Sequence, residues 1–269
     1  MEFVDLHLAR RFEMAEAQAC RACAKSLHQQ HPDFPVAIQE IAGSFAVFAG
    51  VDSPVTQAIG VGLHGEVSDS DLDRLRDFFH SRGAAAAVEL CPLVPLSLYE
   101  RFAKRAYQLL EVSDVLFRKL TEFGDQAQAL PCDVNIRRAA VDESKLWTET
   151  VAQGFAEHNP VTQSILDVME GFFPAAHCFL ALVDGTVAGG AALSVREGVC
   201  GLFGASTLPK FRGRGVQSAL LKARLESAVA QGCDVAVSIA QPGSVSHRNV
   251  ERQGFRIAYT RTKLVLALP

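Results

Sequence analysis

The sequence predicts an α/β (α+β) chain folded as two similar halves, and three observations carry that prediction. Short apolar runs of strand length alternate with longer segments of helical period along the 269 residues. Asp184-Gly185 stands between two apolar runs, the signature of an antiparallel hairpin. One order of elements also occurs twice: helix, glycine, buried strand, proline, helix, closing strands, first around Gly83 and Pro92 and again around Gly232 and Pro242.

Residues 5–30 read as one helix, because Leu8, Phe12, Ala15, Ala19 and Ala22 recur at spacings of three and four. His31-Pro32 ends it, since the residue before a proline avoids the helical region. Residues 44–49 and 58–63 are short apolar strands separated by Asp52-Ser53-Pro54. Ser68 is the N-cap of a helix to about residue 82, closed by Gly83. A buried strand at 84–90 is broken by Pro92 and Pro95, and a helix at 96–106 follows. Two strand-like pieces, 107–110 and 115–120, close the first half. Residues 121–132 have few large apolar side chains and no period, so they read as a linker. The expected domains are therefore 1–120 and 134–269, with 121–133 between them. The second half reads as a strand at 135–139, a helix at 144–155, a polar-apolar segment to Phe173, and strands at 177–183, 187–195 and 199–207. A long helix at 215–231 capped by Gly232, a strand at 234–240, a helix at 244–253 ended by Gly254, and strands at 255–260 and 263–268 complete it.

Composition narrows the class. A hydrophobic content of 49% supports a sizeable core, and 21% charged residues exclude wholesale disorder. The 26 basic and 30 acidic residues give a net charge of −4 without a basic face or tail, so no nucleic-acid partner is expected. No apolar run approaches the roughly 20 residues of a membrane span, and no membrane association is expected. The first residues mix acids and bases without an apolar core, unlike a signal peptide. Seven cysteines, an odd number, read as reduced thiols of a cytoplasmic protein. Cys20 and Cys23 form a lone C-x-x-C inside a helical stretch with no second pair beside it. That is a packing pattern, and no metal is expected.

The strongest chemical signal runs from Ser206 to Leu221. A strand ends in Ser206-Thr207-Leu208-Pro209, a loop carries Arg212-Gly213-Arg214-Gly215, and a helix starts at once with Val216-Gln217-Ser218. The first turn of a helix has unpaired N–H groups and the positive end of the dipole, and glycines let the backbone curl toward a ligand. Together they cradle phosphates. There is no Gly-Lys-Ser/Thr ending, and the glycine spacing is wrong for a dinucleotide fingerprint. In the first half, residues 64–71 take the corresponding place, and the acids at that helix start would repel a pyrophosphate. Only the second half is expected to hold one.

Set after a hairpin and before a strand–helix–Gly-Phe unit, these residues resemble the GCN5-related N-acetyltransferase (GNAT) superfamily. Its acyl-CoA loop, Gln/Arg-x-x-Gly-x-Gly/Ala, is matched by Arg212, Gly215 and, imperfectly, Gln217. Its second signature region resembles Pro242-Gly243-Ser244 through Arg248-Asn249-Val250-Glu251-Arg252-Gln253-Gly254-Phe255. The resemblance covers about 135–268, and the whole chain is similar to tandem-GNAT proteins with a degenerate first copy. It implies two domains, each a mixed, largely antiparallel twisted sheet flanked by helices. It also implies acetyl-CoA as co-substrate, with no metal. The pantetheine arm would add to the backbone near Ser206, Thr207 and Leu208. The pyrophosphate would lie on Arg212, Gly213, Arg214, Gly215, Val216, Gln217 and Ser218, with Asn249 beside the CoA.

The implied activity is an N-acetyltransferase in which an amine attacks the thioester directly. The acceptor would be a small-molecule or peptide amine that the sequence does not identify, and the oligomeric state is equally unread. The family's usual acid is a tyrosine four residues before the Gly of Gly-Phe, a position held here by Val250. Tyr259 is the candidate substitute, its other reading being a half-buried strand aromatic, and Ser246 is a further candidate. Glu157 and His158 lie in the segment that often walls the acceptor, while His177 and His247 are weaker candidates for a base. The missing tyrosine keeps a second reading open, a non-catalytic acyl-CoA sensor or regulatory protein.

Overall fold

The computed structural model describes residues 4–121, 133–156 and 160–269. In chain order its elements are α1 (Leu6–Gln30), β1 (Val36–Ile41), β2 (Ser44–Ala49), β3 (Gln57–Ile59), α2 (Asp69–His80), β4 (Ala86–Leu90), α3 (Leu96–Lys104) and β5 (Gln108–Lys119). Then follow β6 (Val134–Arg138), α4 (Ser144–Phe155), α5 (Gln163–Ala175), β7 (His177–Val183), β8 (Thr186–Arg196), β9 (Val199–Thr207), α6 (Val216–Ala230), β10 (Val235–Ala240), α7 (Val245–Glu251) and β11 (Arg256–Leu266). The expected linker, Glu157 and His158 lie outside the described residues, apart from Thr121 and Asp133 at the linker's ends.

All strands among the described residues join one 11-stranded sheet in the order β1-β2-β3-β4-β11-β5-β10-β9-β8-β7-β6. The two halves exchange their closing strands. β5, from the first half, pairs with β10 from Asp114↔Ala240 to Lys119↔Val235. β11, from the second, pairs with β4 from Leu90↔Thr262 to Ala86↔Leu266. The expected boundary at 121–133 thus divides the chain but not the sheet, which crosses it twice.

Each closing pair of strand pieces is in fact one long strand. The polar residues that interrupt the apolar alternation in β11, Thr260 to Lys263, are paired across the middle of the sheet. Thr260 Oγ1 donates to Asp114 Oδ1 at 2.5 Å, and Arg261 meets Glu13, Glu16 and Glu89. Register shifts between Ile257 and Tyr259 and between Lys263 and Leu264 keep the strand continuous.

Two elements escaped the sequence reading. β1 is a half-exposed edge strand joined to β2 through Ala42 and Gly43, both at positive φ (51° and 72°). That two-residue turn needs left-handed backbone, but Ala-Gly lacks the Asn-Gly signature. α5 contains Gly171 and Pro174, which read as breakers. Gly171 is there for contact: a Cβ on it would stand 2.6 Å from Leu27 Cγ and 2.9 Å from Cys23 Sγ of α1. The strand expected over 58–63 is only Gln57–Ile59.

Helices cover both faces. On β7 and β8, Trp147 and Val151 of α4 pack on Cys178, Leu180 and Ala192, whereas α6 packs on Phe179, Ala181, Ala191 and Leu193. These residues alternate along the strands, so α4 and α6 lie on opposite faces. α1 shares the α4 face with α5, bringing Phe12 to Phe117 with ring centroids 5.8 Å apart. α7 shares the α6 face, where Val250 joins Leu116, Ala236 and Ala240. Cys20 and Cys23 are free and buried in the layer between α1, β2 and α5, where burial pushes the Cys23 thiol up to about 12. No helix among the described residues is long and apolar enough to cross a membrane, and no cluster of metal-ligating side chains occurs among them.

Candidate acyl-donor site

β9 and β10 run parallel from Val199↔Val235 to Leu202↔Ser238. Beyond that pair the ladder stops, although β9 continues to Thr207 and β10 to Ala240. The strands part into a notch, and the cause lies on β9. Its register with β8 shifts between Phe203↔Ala192 and Ser206↔Gly190, and Gly204 between them has φ +58°. A left-handed residue inserted in a strand makes a bulge that bends it away from its neighbour, and glycine takes that conformation without strain. The sequence signal was an isolated glycine inside an apolar strand.

α6 starts at the lip of the notch. Pro209–Phe211 form a 3-10 turn, Gly213 (φ +77°) and Gly215 (φ +76°) curl the chain, and Gly215 is the N-cap. The carbonyl of Gly215 accepts from Ala219 N at 3.0 Å, so the N–H groups of Val216, Gln217 and Ser218 stand at the open end of the helix. A Cβ on Gly213 would meet nothing within 4 Å, which marks the loop as open to solvent.

Small residues bring this loop and α4 onto the sheet. A Cβ on Gly189 would stand 2.5 Å from the Ser206 carbonyl and 3.2 Å from Val216 Cγ1, and one on Gly190 would stand 2.9 Å from Val151 of α4. On α4 itself, a Cβ on Gly154 would meet Ser206 Oγ at 2.3 Å.

The Ser206 hydroxyl is buried and donates to the Thr150 carbonyl at 3.5 Å. Leu208 N donates to the Ala188 carbonyl at 2.9 Å, so the main chain at 206 and 208 faces β8. By alternation, Thr207 turns its peptide groups toward the notch. Of the three residues expected to hold the pantetheine, Thr207 has the available backbone.

The two arginines of the loop differ. Arg212 Nη2 donates to the Gly154 carbonyl at 3.3 Å, tying the loop to α4. Arg214 Nη2 lies 2.5 Å from Asp133 and 3.1 Å from Asp184, and the hydrogen bond to Asp133 is the main cause holding its guanidinium above the usual range. Its charge is already shared with two carboxylates.

α7 begins where β10 ends, with Ser244 as N-cap accepting from His247 N at 3.1 Å. Ser246 is exposed, Asn249 half-buried, and Val250 packs in the core. The helix is anchored on the other half of the chain: His247 Nε2 lies 3.2 Å from Asp114 Oδ2 on β5, and His247 Nδ1 lies 3.5 Å from Glu251. Sequence reading missed Asp114 because nothing local links it to His247.

The structure does not bring Tyr259 to the notch. It sits on β11, separated from β9 by β5 and β10, roughly 14 Å at the usual strand spacing. Its hydroxyl is buried, donates to Glu13 Oε1 at 2.9 Å, and is pushed far up by burial. His177 stands at the start of β7 against Arg138, held below its usual range mainly by burial.

The first half repeats the geometry without the cradle. β3 and β4 pair in parallel only over Ala58↔Val88 and Ile59↔Glu89. There α2 starts with a capping box of Ser68 and Asp71, and Asp69 is bound by Arg101 and Arg105, each at 2.8 Å. The acids expected to repel a pyrophosphate are engaged as caps and ion pairs.

Comparison with known proteins agrees with this geometry. Residues 144–255 match the model of the Acetyltransferase (GNAT) family. A GCN5-related N-acetyltransferase from Kribbella flavida superposes with a TM-score of 0.66 at 15% identity, covering 93% of this chain and 94% of that one. A tandem GNAT protein from the clavulanic acid biosynthesis pathway gives 0.60 at 11% identity, over 96% and 94% of the two chains. A GCN5-related N-acetyltransferase from Sphaerobacter thermophilus gives 0.59 at 13%, over 94% and 91%. No curated protein matches the sequence.

Proposed function

We propose that the chain is an N-acetyltransferase moving an acetyl group from acetyl-CoA to an amine, a reading supported by the match of residues 144–255 to the model of the Acetyltransferase (GNAT) family. The observation that carries the reading is the notch between β9 and β10 with the Gly213–Gly215 loop and the start of α6 at its lip. A strand edge at Thr207 receives the amide-bearing pantetheine arm as an added strand. The N–H groups from Gly213 to Ser218 receive the pyrophosphate, with Arg212 beside them. Ser206, Leu208 and Arg214 support this surface by holding the loop to β8, α4 and the β7–β8 turn. Asn249 and Ser246 lie on the α7 side and contact the CoA chain. This arrangement uses the second half alone, residues 134–269 with β5 inserted, as the acyl-donor domain, while the first half completes its sheet.

Acetyl-CoA supplies an activated carbonyl, and most of the protein's contribution is to hold it against the acceptor. The amine nitrogen bonds to the carbonyl carbon, the C–S bond breaks with its electron pair on sulfur, and the proton of the amine passes to solvent. Negative charge develops on the thioester oxygen, where a main-chain N–H on the bent strand stabilises it. Tyr259 is left out of this mechanism, because its hydroxyl is bonded to Glu13 away from the notch. The acceptor is a small-molecule or peptide amine. The protein works in the cytoplasm without a metal, a membrane or a nucleic acid.

Release of CoA thiol from acetyl-CoA across a panel of amines tests the reading. Amine-dependent release, with the acetylated amine found by mass spectrometry, supports it. Tight acetyl-CoA binding with no transfer to any class of amine favours the sensor reading, for which Val250 in place of an acid is the supporting observation.

A further inference from the structure

Arg224 is a buried charged group that the site as described leaves unused. It lies on α6, 2% exposed, and its three hydrogen bonds all go to main-chain carbonyls. Nε donates to Leu220 at 3.2 Å, and Nη1 donates to Ala192 at 3.1 Å and to Phe203 at 3.5 Å. No carboxylate among the described residues pairs with it, and burial lowers its guanidinium to about 10. A buried cation without a counter-charge is costly. Its neighbours Leu221 and Leu225 show that an aliphatic side chain is the ordinary occupant of this helix face.

The two distal carbonyls belong to the residues at the register break, since Phe203 pairs with Ala192 immediately before the bulge at Gly204. In a planar trans peptide the carbonyl and the following N–H point in opposite directions. The Phe203 carbonyl turns toward β8 and Arg224. The N–H of Gly204 therefore turns the other way, into the notch where β10 no longer pairs. This one peptide has a fixed cation at its oxygen and a donor at the site.

We infer that Arg224 is the positioning residue of acetyl transfer: it holds the Gly204 bulge with its N–H aimed into the notch, and its charge stabilises the negative charge that builds on the thioester oxygen and the departing sulfur. The inference rests on the acetyl-CoA reading above and deepens it. It also accounts for Val250. When the C–S bond breaks, the sulfur leaves as a thiolate one peptide away from a fixed cation instead of taking a proton from a tyrosine. Preorganised charge in a site of low dielectric is the most effective form of such stabilisation.

The test uses CoA itself, because its thiolate absorbs in the ultraviolet and needs no acceptor. Bound to the wild-type protein, the CoA thiol should titrate about one pH unit or more below free CoA, a tenfold or larger change in the equilibrium. Arg224→Met and Arg224→Gln should abolish the displacement, the second while keeping a hydrogen-bond donor to the carbonyls, and Arg224→Lys should retain most of it. CoA affinity should change less than about threefold, while hydrolysis of acetyl-CoA should fall on the order of 100-fold with KM unmoved. A wild-type bound thiol that titrates with free CoA overturns the inference even if the uncharged variants fail to fold. A folded Arg224→Gln protein whose bound thiol titrates as in wild type overturns it too. Absence of CoA binding by the wild-type protein defeats the acetyl-CoA reading as well, so the two failures are distinguishable.

Discussion

Arg261, on the last strand, places Nη1 3.2 Å from Glu13 Oε2 on the first helix, and both side chains are buried. Glu16 and Glu89 join the same guanidinium at 2.5 and 3.3 Å, and Lys263 reaches Glu89 at 3.6 Å. Three carboxylates share two cations, which leaves one negative charge in excess if all are ionised. Burial, the largest cause, raises the Glu13 carboxyl to about 7 despite the pull of Arg261. A carboxyl raised in the folded state holds a proton that the unfolded chain has already lost. Its contribution to stability is full below the ordinary value of 4.5 and is lost as pH rises through about 7. Thermal melts should therefore show a Tm that falls between about pH 5 and 8, and Glu13→Gln should flatten that slope. A wild-type slope unchanged in Glu13→Gln would contradict the assignment.

Removing the cation should do more damage than neutralising one acid. Arg261→Met leaves Glu13 buried without its cation, Glu89 with Lys263 alone and the half-buried Glu16 unpaired, and the cost expected for breaking a buried pair is about 3–5 kcal/mol. Urea denaturation of the two proteins measures it. A loss below about 1 kcal/mol would mean that the cluster rearranges to reach water.

The exchange of β5 and β11 predicts that neither half folds alone. Cut between 121 and 133, the second half loses the partner of β10 and exposes the ladder from Val235 to Ala240, and the first half loses β11 from between β4 and β5. Each piece expressed alone should show little cooperative melting, and the two expressed together should recover it. A second half that melts cooperatively as a monomer would contradict this.

Much of this was legible in the sequence wherever the cause was local. Ser68, Gly83, Asp184-Gly185 and Gly215 are caps and turns, and the elements that they bound appear within a residue or two of the predicted ends. The loop at Arg212 to Ser218 was legible for the same reason. Tertiary causes were not. β11 looked broken because its polar middle answers to Glu13 and Asp114, and β5 because its Asp114 answers to Thr260 and His247, partners that lie far away in the chain. Tyr259 looked available because alternation alone cannot show that Glu13 covers it. Asp114 and His247 could be joined only by the fold.

Close packing at the notch has its own test. Gly154→Ala puts a Cβ 2.3 Å from Ser206 Oγ, so α4 must move off β9. Overpacking of this kind costs about 1–3 kcal/mol. Most of that loss should vanish in a Ser206→Gly background, where the clashing hydroxyl is gone. Urea midpoints of the four proteins in the cycle decide it, and additive losses would contradict the contact.

Arg214 should matter little for the ligand. Its guanidinium is held by Asp133 and Asp184 on the exposed side of the loop. Arg214→Ala should change acetyl-CoA affinity less than about threefold and leave the urea midpoint nearly unmoved, because exposed ion pairs are screened by solvent. A tenfold loss of affinity would show that the side chain swings to the phosphates on binding.

The proposed acyl-donor site binds acetyl-CoA through the main chain at the start of α6. Calorimetric titration of acetyl-CoA into the wild-type protein and into Gly215→Glu tests it most directly. Gly215 caps the helix at φ +76°, where a side chain is strained and a carboxylate would repel phosphate. Micromolar binding in the wild type should disappear in the variant while the fold is retained. Binding that survives in Gly215→Glu, or no binding in the wild type, would contradict it.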